Sequence, residues 1–145
     1  MSNSDPEAYQ EWNPFPRRSA PSGSGADLAA RLMDDMDPEM LDFLKTTVNS
    51  FVKWDLVIFF SENSNTTDTA VNLARYIGRD VGAINAELDD LVEAGVLVQY
   101  QAGDLKIYSL TTQAPMRERL KHFVDASVDR QFRVKAIYHL IRGMR

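Results

Sequence analysis

Glu118 and His122 stand four residues apart, a spacing at which a carboxylate and an imidazole on one helical face could share a metal ion. Only one other histidine, His139, occurs, and cysteine is absent. The pair reads more simply as neighbours on an amphipathic helix. Five carboxylates, Asp34, Asp35, Asp37, Glu39 and Asp42, crowd together without the alternating ligands and central glycine of a calcium loop. Their place near helix N-termini, where the dipole favours negative charge, accounts for most of them. Ser127 beside Asp125 has no oxyanion-hole signature and no positioned base, so it reads as a local cap. Ser22-Gly23-Ser24-Gly25 lacks the Gly-Lys-Ser/Thr ending of a phosphate-binding loop. No catalytic residue, metal cage or cofactor loop emerges, so the expectation is a protein that is not an enzyme and carries no cofactor.

The side chains that remain chemically interesting are polar and lie between Asp68 and Thr112, so the elements that would position them matter most. Ala70, Leu73, Ala74 and Ile77 recur at helical spacing, and Gly78 can end that helix with a positive φ. Asp80 suits the N-cap of a second helix, on which Ile84, Leu88, Leu91 and Val92 mark the buried face and which Gly95 closes. Val96–Gln101 and Leu105–Leu110, separated by Ala102-Gly103-Asp104, predict a hairpin. Two such helices joined by a three-residue turn make a helix-turn-helix.

This order, ending in Ile107-Tyr108-Ser109-Leu110-Thr111, resembles the winged helix-turn-helix of bacterial and archaeal transcription regulators. It is most similar in feel to the multiple-antibiotic-resistance and arsenic-repressor groups. Leu73-Ala74 with Ile77-Gly78 matches the second helix of that unit. Leu91 through Gly95, then Leu97, matches the exit from the recognition helix. The likeness covers roughly residues 50–112. It implies a mainly α fold with a small β-hairpin wing, a winged helix-turn-helix carrying additional N- and C-terminal helices.

The resemblance further implies that the exposed face of the second helix enters the major groove of double-stranded DNA. That face comprises Val81, Gly82, Ala83, Asn85, Ala86, Asp89, Asp90 and Glu93. Asn85 can pair with adenine N6 and N7, while Gly82, Ala83 and Ala86 can at most touch a thymine methyl. Phosphate contacts would fall to Arg75, Arg79 and the wing's Lys106, with Thr66, Thr67 and Thr69 as neutral donors. No Arg or Lys occurs between Asp80 and Gln101, a departure from the usual pattern. Because each neutralised phosphate adds a salt-dependent slope of about 0.9, three cations per subunit is a thin set. The acidic helix face therefore also fits a winged helix used for protein contact, with little or no DNA binding.

Charge is uneven along the rest of the chain. Residues 1–44 carry three basic and nine acidic side chains, net −6; residues 45–112 carry five and nine, net −4; residues 113–145 carry eight and three, net +5. Dedicated DNA-binding chains are more often basic overall than this one, whose net charge is −5. Residues 1–25, with four prolines and Ser-Gly-Ser-Gly, predict a flexible tail. Its Trp12 and Phe15 could dock on a partner or fold back on the protein itself.

Residues 26–49 predict a helical extension, with one short helix from Ala26 to Met36 and another begun by Asp37-Pro38. Its apolar spacing runs on through Val48, Phe51 and Val52. Val52–Phe60 is apolar nearly all round, interrupted by Lys53 and Asp55, so it must be covered on every side. Ser61–Thr66 predicts a polar loop. Residues 113–145 predict a helix begun at Pro115, either continuous or in two pieces around Ala126-Ser127. A continuous Met116–Arg142 would extend roughly 40 Å, which favours a homodimer built on it, though it could instead cap its own core. No basic-then-apolar leader is seen, and the longest apolar run is Leu56–Phe60, so no membrane association and a cytoplasmic location are expected.

Overall fold

The computed structural model describes residues 36–143. The chain runs α1 (Pro38–Thr46), α2 (Phe51–Glu62), β1 (Thr67–Thr69), α3 (Ala70–Ile77), α4 (Val81–Glu93), β2 (Leu97–Ala102), β3 (Leu105–Leu110), α5 (Ala114–Ala126) and α6 (Arg130–Gly143). It is mainly helical with one small antiparallel sheet in the order β1-β3-β2. The tail with Trp12 and Phe15 and the helix expected from Ala26 fall outside the described residues. Among the described residues no helix is long and apolar enough to cross a membrane.

Asp37 and Pro38 start α1 as expected, the Asp37 carboxylate accepting from the Met40 N–H at 3.1 Å. The apolar spacing from Met40 to Val52 is nevertheless not one helix. Thr46 and Asn49 turn back onto the carbonyls of Asp42 and Lys45 at 2.9 and 3.2 Å, and Ser50 caps α2 by accepting from the Lys53 N–H at 3.1 Å. A run of Thr, Asn and Ser offers the backbone local partners that compete with the helical ladder, and here it ends one helix and begins the next.

The cover that α2 requires comes from within the chain. Leu56, Val57 and Phe60 are buried in the core. Trp54 meets Phe123 of α5 edge-on with ring centroids 5.2 Å apart, and Phe59 stacks on Tyr76 of α3 at 5.4 Å. Such aromatic pairs each add about 0.5–1.5 kcal/mol beyond the area they bury.

Residues 67–69 depart from the expected loop-to-helix passage. They form β1, paired antiparallel with β3 in the register Thr67↔Ser109 to Thr69↔Ile107. Three residues are too few to show a period of two, and their partner strand is remote in sequence. Thr69 then caps α3, accepting from the Asn72 N–H at 3.4 Å. The hairpin pairs Leu97↔Leu110 through Ala102↔Leu105, so its turn is Gly103-Asp104, one residue shorter than expected, with Gly103 at φ 64°.

The C-terminal segment is in two pieces. α5 ends at Ala126; Ser127 Oγ donates back to the Phe123 carbonyl at 2.8 Å, and Arg133 Nη1 donates to the carbonyls of Ser127 and Val128, both at 2.9 Å. Asp129 then accepts from the Gln131 N–H at 3.3 Å as α6 begins. The roughly 40 Å rod does not form. One hydrophobic core runs through Leu44 and Val48, α2, Leu73, Ile84, Leu88 and Leu91, the base of the hairpin, Leu120 and Phe123 of α5, and Ala136 of α6. It is continuous across positions 49/50 and 112/113, and α5 spends its apolar face on the chain's own interior.

Candidate functional site

α3 and α4 meet through Gly78-Arg79-Asp80. Gly78 sits at φ 72° and ψ 36°, the left-handed region that residues with a Cβ enter only at a cost. Its N–H donates to the Arg75 carbonyl at 3.3 Å and the Arg79 N–H to the Ala74 carbonyl at 2.9 Å, which closes α3 with a Schellman pair. Asp80 occupies the N-cap position of α4 in extended conformation, yet its side chain makes no capping bond. Ile84, Leu88 and Leu91 hold α4 to the core.

Asp68, just ahead of α3, fastens this corner. Its carboxylate accepts from Asn72 Nδ2 at 2.7 Å, the Thr69 N–H at 2.8 Å and the Tyr76 hydroxyl at 2.8 Å. The Asn72 hydrogen bond foremost, with Thr69, Tyr76 and the nearby Arg75 adding to it, holds the Asp68 carboxyl below its ordinary value of 3.8. The hydrogen bond that the Tyr76 hydroxyl donates to Asp68 raises the Tyr76 phenol.

α4 divides into two halves. Val81, Gly82, Ala83, Asn85 and Ala86 are exposed and carry no charge, and the Asn85 amide makes no hydrogen bond among the described residues. The second half carries Glu87, Asp89, Asp90 and Glu93, and three of these four engage other elements. Lys53, on α2 and only 6% exposed, places its Nζ 3.0 Å from Asp90 and 3.6 Å from Glu87, and donates to Asn49 Oδ1 at 2.6 Å. Ser50 Oγ donates to Glu87 at 2.8 Å. Tyr108, at the centre of the sheet and 2% exposed, donates its hydroxyl to Asp89 at 3.1 Å. Burial first, then the Asp89 contact, pushes the Tyr108 phenol up.

Neither Lys53 nor Tyr108 stood out in sequence reading as part of this site. Lys53 looked like an interruption in an apolar helix, and Tyr108 like packing for the hairpin. A lysine set in a run apolar nearly all round, with carboxylates at helical spacing elsewhere, is the signal from which such a pairing could be inferred.

The expected DNA contacts are scattered in their circumstances. Gly82, Ala83, Asn85 and Ala86 share the open half of α4. Arg79 is not free: its Nε and Nη2 both lie 2.8 Å from one carboxylate oxygen of Asp55 on α2. Arg75 is exposed and only loosely joined to Asn72, at 3.4 Å. Lys106 is exposed on β3 opposite Gln101. Thr67, exposed on β1, donates to Ser109 Oγ at 3.3 Å, whereas the Thr69 hydroxyl is occupied as a cap. Glu118 and His122 lie exposed on α5, and no group of three or more metal-ligating side chains occurs among the described residues.

What the arrangement offers chemically is a core-seated helix presenting a small, neutral, hydrogen-bonding end, with cations spread around it and, among the described residues, no convergent acid–base or nucleophilic set. Comparison with protein-family models, with curated proteins and with solved structures returns no significant match for this chain.

Proposed function

We propose that residues 50–112 are a winged helix-turn-helix and that the protein is a DNA-binding transcription regulator acting as a dimer. The element order supports this reading: a helix, a short strand, two helices joined by a tight turn, and a hairpin whose second strand pairs with the first short strand. The observation that carries it is the state of the α4 carboxylates. Glu87, Asp89 and Asp90 are tied to Ser50, Lys53 and Tyr108 of the chain's own fold, and the carboxylates are confined to the second half of α4, which leaves its first half uncharged.

The exposed first half of α4 enters the major groove, with Asn85 pairing with adenine and Gly82, Ala83 and Ala86 allowing close approach. Arg75 and Lys106 contact phosphates, joined by Thr67 and by the Thr69 hydroxyl, which accepts as a helix cap and keeps its own proton to donate. Arg79 contributes only by sharing or leaving Asp55.

The Arg79–Asp55 ion pair favours a second reading, a winged helix used for protein contact. With Arg79 engaged, Arg75 and Lys106 are the cations of residues 50–112 best placed for phosphates. Fluorescence anisotropy with random duplex DNA across a salt series separates the two. The DNA reading expects binding at low salt with a log–log slope of about two per subunit, reduced by about one in Lys106→Ala. Absence of binding at low salt by the folded protein sinks it and leaves the protein-contact reading. A sedimentation measurement at micromolar concentration checks the dimer, for which exposed Val128 and Ile141 are apolar surface still to be covered; a monomer removes it.

A further inference from the structure

A cleft of about 300 Å³ opens between α5, the C-terminal end of α2 and the base of the hairpin. Its floor is apolar, made by Val57, Val96, Leu110, Leu120 and Val124. Four of these are less than a tenth exposed, so the floor is continuous with the core rather than a surface dimple. The rim is polar and cationic on one side: Arg117 and Lys121, one helical turn apart on α5, face the cleft together. Ser61 and Ser64 stand on the α2 side.

The two cations are differently held. Arg117 is pinned through its Nε, which donates to the Thr111 carbonyl at 2.6 Å, while its two terminal nitrogens make no hydrogen bond or ion pair among the described residues. A guanidinium oriented by its Nε and open at its Nη atoms is set up to receive an oxyanion. Lys121 is paired with Asp125, also on the rim, at 2.8 Å, but both side chains are largely exposed, and exposed pairs at this helical spacing hold weakly. A carboxylate arriving beside Arg117 can draw the Lys121 ammonium away from Asp125 without leaving a buried charge behind.

We propose that this cleft is a binding site for a small monoanionic amphiphile, a carboxylate with a compact apolar body such as a short acyl chain or a single ring. The apolar floor takes the body, Arg117 and Lys121 take the carboxylate, and Ser61 and Ser64 supply neutral donors. The volume of about 300 Å³ lies at the small end for ligand sites and matches a compact apolar body. An apolar floor with hydroxyls alone would suit a neutral ligand equally well. The pair of cations on one wall is what selects the anion. The site joins α5 to α2 and to the base of the hairpin, and it stands whether or not the protein binds DNA.

The test is a two-dimensional NMR titration of the isotope-labelled full chain with octanoate, with octanol as the uncharged analogue. Octanoate is expected to shift the amides around Val57, Val96, Leu110 and Leu120 saturably in the millimolar range or below, and more tightly than octanol. Arg117→Gln combined with Lys121→Gln is expected to weaken octanoate by about tenfold, the scale of losing a charge-assisted hydrogen bond, and to leave octanol unchanged. Val124→Trp, which fills the cleft, is expected to weaken both. Non-saturating shifts, shifts centred elsewhere, or equal affinity for octanoate and octanol in the unaltered protein would each overturn the proposal, and none of these readings depends on a variant folding.

Discussion

The two halves of α4 are built on opposite rules. Residues 81–86 carry no charged side chain and keep their polar amide free, whereas residues 87–93 carry four carboxylates toward the helix's C-terminal end. Negative charge there opposes the helix dipole, a local cost of about 0.3–1 kcal/mol per exposed group. The cost is offset by partners on other elements: Lys53 and Ser50 from α2, Tyr108 from β3. The first half is therefore free to meet another molecule because the second half is tied to its own. A helix with charges evenly placed would have been better on its own and less firmly aimed.

The largest effect is expected at Lys53. Lys53→Met removes the cation between Glu87 and Asp90 and is expected to lower stability by about 2–3 kcal/mol in urea unfolding, below the full cost of orphaning a buried pair because Asp90 is half exposed. Adding Glu87→Gln and Asp90→Asn to that variant should recover part of the loss; no recovery would mean that Lys53 acts through packing alone. Next comes Gly78→Ala. No atom lies within 4 Å of the added methyl, so only the left-handed backbone resists it, at about 1–2 kcal/mol by thermal or urea unfolding.

A smaller effect changes with pH only in acid. Because the folded-state Asp68 carboxyl titrates below its ordinary 3.8, its contribution is complete above that pH and is lost as pH falls through the lowered folded value. Asp68→Asn should therefore flatten the fall of stability below about pH 4 while changing its slope little near neutrality. Parallel acid profiles for variant and parent would remove Asp68 from the account. Smallest in stability is Asn85→Ala, expected within about 0.5 kcal/mol, since the side chain holds nothing in the fold. If the protein binds DNA as proposed, the variant's effect lies in DNA affinity instead, and a large stability loss would show that the open half is not open.

Much of this fold was legible in the sequence where the signal is local. The apolar spacing of Leu73–Ile77 and Ile84–Leu91, Gly78 between them, Pro38, Pro115 and the alternating hairpin all placed elements where they occur. The same spacing misled between Met40 and Val52, because apolar residues at helical intervals say nothing of the Thr-Asn-Ser caps that interrupt them. What local reading missed was set by distant partners. The strand at Thr67–Thr69 exists only because β3 lies beside it, and the burial of Lys53 only because Glu87 and Asp90 sit opposite. For the candidate site the positions on α4 were legible and their electrostatic state was not. Five carboxylates between Gly78 and Gly95 suggested a repulsive surface, and the side chains that answer three of them come from residues 50, 53 and 108.

The pairing of β1 with β3 has a consequence for the order of folding. Thr67 and Ser109 lie 42 residues apart, and everything between them, α3, α4 and the hairpin, can form from closer contacts. Closing that loop rewards the chain only after its contents exist, so the pairing is a late event on the folding route. Thr67→Gly should accordingly speed unfolding while leaving the refolding rate nearly unchanged. Stopped-flow chevrons decide this: a slowed refolding arm would make the short strand part of the nucleus rather than its closing clasp.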